Sequence, residues 1–428
     1  LNIGFTQLAG LPATAGLYAG IIPLVLFAIF TSSRQLVTSP DAPITALLAA
    51  TLVAFAPVGD PLRLQFALAI ALLSGLLFFV FWFFRLAFLA NFLSRAVLAG
   101  FITGLGIEVF TNQVRRALGV SHAEGGGSGV ESIAVQIQDT LGTTGYFAEV
   151  VALIQSVPHA NWCSVAIGVG AFAIVRLMKR YTPKLPGSLV ALIVMTAIVA
   201  VFGLDGKGVS VLGTIPSGLP TLAVPNVPLA DYVRLFPAAM AVVAITLAEA
   251  LLLVRAYDRK TGVKSDGGQV LFAYGVANVA GGLSGALVSG PSASRSAAMD
   301  DAGAGGQFPS LVAAAAIALV VIFFTDELAA LPTAALAGIV ASAVLKLVEV
   351  GEFREFWHMR RSEFWVAAVC AISVLALGPL QAVVIAFLLA TIDLLRRAAR
   401  PGTWVLRETA DGSHFLPEEA GSAPDMSG

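Results

Sequence analysis

The stretch that decides the fold reads GGLSGALVSGPSASRS and occupies residues 281–296. It holds too many glycine, proline and serine residues to form a regular membrane-spanning helix, and it carries Arg295. Non-helical backbone and arginine side chains occur at membrane depth only where protein or a water-filled cavity covers them. In a membrane protein this stretch therefore indicates a functional site; the alternative is an ordinary polar loop outside the bilayer.

The composition of the whole chain favours a membrane protein. Of its 428 residues, 57% are hydrophobic and only 12% are charged. The apolar residues form many separate runs of about 17–25, the length that crosses the hydrocarbon core of a bilayer. We therefore predict an all-α polytopic membrane protein with lipid around it. A net charge of −1 offers no basic surface for nucleic acid. Cys163 and Cys370 have no metal-ligand spacing, so neither a cofactor nor a metal is expected.

Breaks at glycine, proline and charged clusters divide the chain into fourteen predicted spans. They are a partial span ending near residue 10, then 13–31, 40–55, 62–84, 95–118, 162–178, 187–203, 236–254, 268–287, 292–304, 308–325, 333–347, 363–377 and 380–396. If both termini are cytoplasmic, most of the lysine and arginine residues fall in cytoplasmic loops. This distribution is expected for a multi-pass protein of the inner (plasma) membrane. A segment rich in proline and glycine, residues 208–228, leaves seven spans on each side. Since seven is odd, the two halves have opposite orientations, and the sequence predicts a 7+7 inverted repeat.

Two short segments, numbers 3 and 10, match in this repeat. Segment 3 begins SPDA at residues 39–42, and segment 10 begins GPSA at residues 290–293. A pair of short, proline- or glycine-interrupted segments in corresponding positions is typical of the midplane site of a secondary transporter. We predict that both are half-helices beginning inside the bilayer.

Half-helices that start at the midplane point unpaired N–H groups and positive dipole ends into the gap between them, which attracts anions. The residues at the two starts are Pro40, Asp41, Ala42, Ser292, Ala293, Ser294 and Arg295. We expect Pro40 and Pro291 in the first helical turns, where a missing N–H is harmless. Arg295 either binds the anion or balances Asp41, and the sequence leaves both open.

Glu249 is the other charged residue that stands out within a predicted span. A carboxylate there can load and release a proton and so couple anion entry to proton movement; the alternatives are a sodium ligand or a structural partner of an arginine. No nucleophile–base pair or metal cluster is evident, so we predict neither catalytic residues nor an enzyme.

Several motifs occur in order along the chain: LAGLP at 8–12, GLY at 16–18, TSSR at 31–34, GTIPSGLP at 213–220, NVAGG at 278–282 and SRS at 294–296. Together they resemble the SulP (sulfate permease) family of anion transporters over nearly the whole chain. The resemblance implies the uracil permease-like fold, with a core domain of spans 1–4 and 8–11 and a gate domain of spans 5–7 and 12–14. The implied boundaries are core 1–91 and 236–328, gate 92–204 and 329–398, an extracellular connection at 205–235, and a cytoplasmic tail at 399–428 that begins a STAS domain. In this tail, the residues at 404–407 and 414–416 on either side of Asp411 and Gly412 predict a β-hairpin.

The resemblance also implies roles for individual residues. Phe5 and the openings of spans 3 and 10 would line the anion site, and Glu249 matches the acidic position tied to ion coupling. Family members usually form homodimers, here through the gate or cytoplasmic domain. The family's usual Gly-Pro before span 3 is here Ser39-Pro40 with Asp41 beside it, and an acidic residue near an anion weakens binding unless it is paired or protonated.

The sequence thus predicts a secondary active transporter of a small anion, either a fumarate-type dicarboxylate or a sulfate- or bicarbonate-type oxyanion. Alternating access with proton symport is favoured, and sodium is the less favoured coupling ion. The alternatives are an anion channel or uncoupled exchanger, and a nucleobase transporter on the same fold.

Overall fold

The computed structural model describes residues 1–87, 95–119, 146–182, 185–345, 350–359, 361–378, 406–408 and 415–417, with a few single positions between 348 and 392. Within these ranges the chain is predominantly helical. The first helices are α1 (Asn2–Leu8), α2 (Ala13–Ala19), α3 (Ile22–Phe30), α4 (Ala42–Val53), α5 (Pro61–Phe83), α6 (Arg95–Ala117), α7 (Tyr146–Ser156), α8 (Trp162–Tyr181) and α9 (Gly187–Phe202). They are followed by α10 (Leu229–Thr261), α11 (Gly267–Leu283), α12 (Ala293–Asp301), α13 (Phe308–Phe323), α14 (Thr325–Ala329), α15 (Thr333–Val344), α16 (Val350–Met359) and α17 (Arg361–Leu377).

Among the described residues, five helical stretches are long and apolar enough to cross a membrane: Ala13–Phe30, Pro61–Phe83, Arg95–Ala117, Trp162–Tyr181 and Leu229–Thr261. Shorter apolar helices accompany them, so the described part of the chain has the all-α membrane architecture that its composition predicts. The last predicted span, 380–396, lies largely outside the described residues.

Three elements differ from the sequence predictions. The predicted span 13–31 is two helices, α2 and α3, because the backbone turns at Gly20 and Pro23 has no N–H to continue the first ladder. Helix α10 begins at Leu229 rather than near 236 and keeps Pro237 inside it. Helix α16 was not predicted at all, because it is amphipathic rather than apolar throughout.

Two very short strands hold the centre of the fold together. Strand β1 (Thr38–Ser39) pairs antiparallel with β2 (Gly290–Pro291), with Ser39 opposite Gly290. Thr38 Oγ1 also donates to the Gly290 carbonyl at 3.2 Å. Each strand immediately precedes a short helix, α4 or α12. Their pairing therefore brings the amino-terminal ends of these two helices together, although they are about 250 residues apart in sequence.

The expected position of the two prolines is wrong. Pro40 lies between β1 and Asp41, which is the N-cap of α4, and Pro291 belongs to β2. The proline in the first turn of α4 is Pro43. Pro291 sits in extended backbone because β2 pairs with β1 before α12 begins, and proline suits that conformation as well as it suits a first helical turn.

The described helices pack in two groups. In the first, α5 packs against α10 and α11, and α11 also packs against α3. Tyr274 is fully buried there, with its ring centroid 4.7 Å from Phe27 and 5.6 Å from Phe78. In the second group, α15 packs against α8, and α17 packs against α6.

Glycine allows the close approach of helices in the second group. A Cβ on Gly338 of α15 would lie 2.1 Å from the Gly168 carbonyl oxygen of α8, so no other residue fits without moving a backbone. Small residues at helix crossings are typical of membrane proteins, where close backbone contact replaces the hydrophobic effect. Helix α1 contacts α15 of the second group and α4, and α4 in turn packs against both α10 of the first group and α6 of the second.

The hairpin predicted at the carboxyl end is confirmed where it is described. Strand β3 (Leu406–Glu408) pairs antiparallel with β4 (Phe415–Pro417), with Arg407 opposite Leu416. The predicted turn at Asp411 and Gly412 falls outside the described residues.

Candidate functional site

A cavity of about 600 Å³ lies where the starts of α4 and α12 meet. One wall consists of α1 and the starts of α4 and α12, and we call it the half-helix wall. The opposite wall consists of α8, α9 and α15. The half-helix wall contributes Phe5, Ser39, Asp41, Ala42, Ser292, Ala293, Ser294 and Arg295; the opposite wall contributes Arg176, Lys179, Ser188, Ile339 and Ser342 among others. Phe5, Ser292 and Ser342 are buried, whereas Arg176 and Lys179 are exposed at the rim.

The start of α4 is capped by its own carboxylate. Asp41 is the N-cap, and its Oδ1 accepts a hydrogen bond from the Ala42 N–H at 2.9 Å. This satisfies one of the donors that a helix start leaves unpaired. It also places a negative charge at the end of the helix that would otherwise favour an external anion.

The start of α12 is uncapped by side chains. Ser292 is the N-cap, is 4% exposed and makes no side-chain capping bond. The first turn is anchored instead by Ser296, whose Oγ accepts from the Val37 N–H at 2.9 Å. The Ser292 hydroxyl therefore remains available to a molecule in the cavity.

Arg295 lies at the same helix start and links it to α1. Its Nη2 donates to Asn2 Oδ1 at 2.5 Å. Among the described residues no ion pair joins Arg295 to a carboxylate, although Asp41 is near enough to act on it electrostatically. Arg295 is thus hydrogen-bonded to a neutral amide. Its positive charge is not neutralised by an ion pair among the described residues and is available to an anion in the cavity that it lines.

The structure brings most of the predicted site residues together. Phe5, Asp41, Ala42 and the four residues 292–295 all line the cavity, whereas Pro40 does not. The sequence did not predict that Ser342, Arg176 and Lys179 line the cavity. Ser342 lies in an apolar helix with nothing to distinguish it. In the sequence, the two basic residues contribute only to the charge bias of a loop.

Glu249 does not line this cavity. It is half-buried in α10, which packs against β2; Thr246, one turn earlier, is 3.4 Å from where a Cβ on Gly290 would be. Glu249 and Asp41 are both near enough to the hydroxyl of buried Tyr274 to act on it electrostatically.

A second cavity, of about 910 Å³, lies at the other end of α8 and is lined by Gln7, Leu8, Arg63, Asn112 and Arg116 among others. Arg63 is 3% exposed and donates to the carbonyls of Ala9 at 2.9 Å and Ala49 at 3.4 Å. Arg116 donates to the Gln7 carbonyl. Phe5 lines the first cavity and Gln7 lines the second, so only two residues of α1, about 3 Å along the helix axis, separate them.

The chemistry of the first cavity suits an anion. Its described lining includes three cationic side chains and one carboxylate, together with hydroxyl donors on both walls. Among the described lining residues, no two groups are arranged as nucleophile and base. An arrangement of this kind can bind an anion.

Comparison with known proteins agrees with this assignment. The sequence model of the family described as the sulfate permease family matches residues 1–370. The chain belongs to the sulfate permease family. Membership identifies it as a membrane transporter of small anions rather than an enzyme.

A protein from Mycobacterium tuberculosis named as a probable sulfate transporter is 34% identical over 94% of this chain and 69% of its own length. Prestin from Rattus norvegicus is 26% identical over 98% of this chain and 58% of its own length. The chain therefore spans between half and about two thirds of these two relatives.

Among solved structures, the murine Slc26a9 anion transporter in the inward-facing state has a TM-score of 0.82 at 20% identity, covering 97% of this chain and 69% of that one. The transmembrane domain of a cyanobacterial bicarbonate transporter, BicA, has a TM-score of 0.73 at 20% identity, covering 91% and 92%. At this identity the likeness establishes the fold of this sulfate permease family member.

Proposed function

We propose that this protein is a secondary active transporter that binds a small dianion, such as sulfate or a fumarate-type dicarboxylate, between the starts of α4 and α12. The observation that carries the proposal is the cavity at this meeting point, with Arg295 and the uncapped start of α12 on its wall. A helix start and a guanidinium both favour anions, and together they bind more strongly than either alone.

The architecture that we propose is a 7+7 inverted repeat of fourteen spans, with residues 1–91 and 236–328 as core domain and 92–204 and 329–398 as gate domain. The antiparallel pairing of β1 with β2 supports the repeat, since matching segments of two inverted halves would cross in this way. The two helix packing groups support the division into domains, because α3, α5, α10 and α11 fall in the proposed core and α6, α8, α15 and α17 in the gate.

Transport would occur by alternating access, with the core moving against the gate. The first cavity opens past Arg176 and Lys179, which the charge bias places on the cytoplasmic side. We therefore propose that the described conformation is inward-facing, as the murine relative is described. The contact of Arg116 in α6 with Gln7 in α1 would hold the outer side closed and would break when that side opens.

Proton symport through Glu249 is our preferred coupling mechanism. Glu249 lies in the proposed core domain, near the same Tyr274 hydroxyl as Asp41. This position supports the mechanism, because a proton on Glu249 changes the electrostatic field at the half-helix wall.

We further propose an inner (plasma) membrane location with both termini cytoplasmic, a homodimer through the gate or cytoplasmic domain, and residues 399–428 as the start of a STAS domain.

The first experiment is uptake into proteoliposomes of labelled sulfate, fumarate, bicarbonate, chloride and uracil. We expect saturable uptake of one of the dianions, driven by an inward proton gradient and not by a sodium gradient. Large currents that do not saturate and ignore the proton gradient would indicate a channel, and uracil uptake unaffected by Arg295→Ala would indicate a nucleobase transporter.

Replacing Glu249 by Gln tests the coupling step, because glutamine cannot carry the proton. Glu249→Gln is expected to abolish proton-driven accumulation, to less than about a tenth of wild type, while anion exchange at equal concentrations continues. Glu327→Gln serves as the matched control, since Glu327 is exposed in α14. Normal gradient-driven accumulation by Glu249→Gln would rule out this coupling residue.

A further inference from the structure

The opposite wall of the first cavity carries a buried hydroxyl that no role described above uses. Ser342 of α15 is 2% exposed, lines the cavity and has no hydrogen-bond partner among the described residues. Ser292 on the half-helix wall has the same character, at 4% exposure. Neither hydroxyl is used by a hydrogen bond within the described part of the protein, so both can bind a molecule in the cavity. Because they lie on different walls, they can hydrogen-bond one ligand from two sides.

The charges of the cavity are arranged in the same two-sided way. Arg295 stands on the half-helix wall, and Arg176 and Lys179 stand on the opposite wall at the rim. Asp41 is the one carboxylate among the described lining residues. An anion in the cavity thus meets positive charge on both walls. The one negatively charged side chain among these described residues, Asp41, lies on the half-helix wall.

We infer that the opposite wall, through Ser342, Arg176 and Lys179, is the second half of the anion site and makes it selective for doubly charged oxyanions. This inference rests on the proposed function and adds a contribution from helices outside the half-helix pair. A dianion with several acceptor oxygens can engage both walls at once. A singly charged ion such as chloride engages one wall and gains about half the electrostatic energy in the same potential.

The test uses Arg176→Gln and Lys179→Gln in the full chain, with labelled sulfate and with chloride as competing inhibitor, at low ionic strength. Removing one cation near an anion in a water-like dielectric raises the half-saturating concentration about threefold for chloride and about tenfold for sulfate, because the energy scales with the charge of the anion. Both shifts should shrink at high salt, where the charges are screened.

Arg180→Gln is the matched control. Arg180 is an exposed cation on the same helix as Arg176 and Lys179, but it does not line the cavity. Arg176→Lys keeps the charge and should retain the wild-type half-saturating concentration of sulfate. The inference is overturned if Arg176→Gln and Lys179→Gln leave sulfate half-saturation unchanged, if chloride and sulfate shift equally, or if only the maximal rate falls.

Ser342→Ala tests the hydrogen bond separately from the charges. Loss of one hydrogen bond to a charged ligand is expected to raise sulfate half-saturation about tenfold. Ser164→Ala is its control, because Ser164 is also a buried serine, 1% exposed, and lies outside the cavity. An unchanged half-saturation in Ser342→Ala would remove Ser342 from the site.

Wild-type uptake separates the failure of this inference from the failure of the proposed function. If the wild-type protein shows no saturable uptake of sulfate or fumarate, the proposed function and this inference fall together. If wild-type uptake saturates and the three opposite-wall variants match it, the inference alone is wrong.

Discussion

Asp41 is the residue whose chemistry conflicts most with an anion site. Its carboxylate caps α4 and at the same time faces the cavity, so an ionised Asp41 repels the anion that the helix start and Arg295 attract. The capping bond needs only an oxygen acceptor, whereas the repulsion needs the charge. The two roles can therefore be separated by substitution.

Asp41→Asn is expected to keep α4 intact, because asparagine caps as well as aspartate, and to lower the half-saturating anion concentration about threefold to tenfold. Uptake kinetics at a fixed pH provide the measurement.

Asp60→Asn is the control for the Asp41 variant. Asp60 also caps a helix, α5, by accepting from the Leu62 N–H at 2.8 Å, but it lines the second cavity. An Asp41→Asn protein that binds the anion more weakly, with Asp60→Asn at wild-type affinity, would mean that the carboxylate itself assists binding.

At the scale of elements, the antiparallel pairing of β1 with β2 fixes the distance between the starts of α4 and α12. Gly290 is packed so tightly there that a Cβ would lie 2.1 Å from Ile44 Cδ1, and Ile44 is fully buried. A larger residue must therefore push α4 away from α12 or force Ile44 out of its position.

Gly290→Ala is expected to destabilise the protein by about 2 kcal/mol and to lower its thermal midpoint in detergent, with a matching loss of anion affinity. Ile44→Val deletes the Cδ1 atom that the new methyl group would strike, so the double variant should recover most of the loss. Thermal unfolding of all four proteins gives a double-mutant cycle. Strictly additive effects would contradict the steric explanation.

Sequence reasoning located the half-helices, because helix breakers inside an apolar chain are conspicuous, and placed Asp41 and Ser292 to Arg295 on one cavity. It could not find the strand pairing, since two residues from each half carry no periodic signal, and so it misplaced Pro40 and Pro291. Only the fold shows that the Arg63 side chain turns inward, to the carbonyls of Ala9, just after α1, and of Ala49 in α4.

At the scale of the molecule, two cavities at opposite ends of α8 predict one-sided access to the binding wall. The variants Ser292→Cys and Ser188→Cys introduce a cysteine into the lining of the first cavity, and Asn112→Cys introduces one into the lining of the second. In a Cys163→Ser background, a membrane-impermeant thiol reagent should reach the first two from the same side and Asn112→Cys from the other. From the Asn112 side, Ser292→Cys should react at least about ten times more slowly, since only a minor conformation exposes it there.

The control for the labelling experiment is the Cys163→Ser protein itself, in which Cys370 is fully buried and should not react. Equal labelling of Ser292→Cys from both sides at the rate of Asn112→Cys would show a continuous pore. That result would contradict alternating access and favour a channel.

The short stretch of α1 between the two cavities has an electrical consequence. If water and ions fill both cavities, most of the membrane voltage falls across a septum of about 3 Å rather than across the whole bilayer. A charge displaced by that short distance then does nearly the full electrical work, about 2.3 kcal/mol per elementary charge at 100 mV. A small sliding movement of Arg295 with a bound anion could thus make the conformational equilibrium of the protein strongly dependent on voltage.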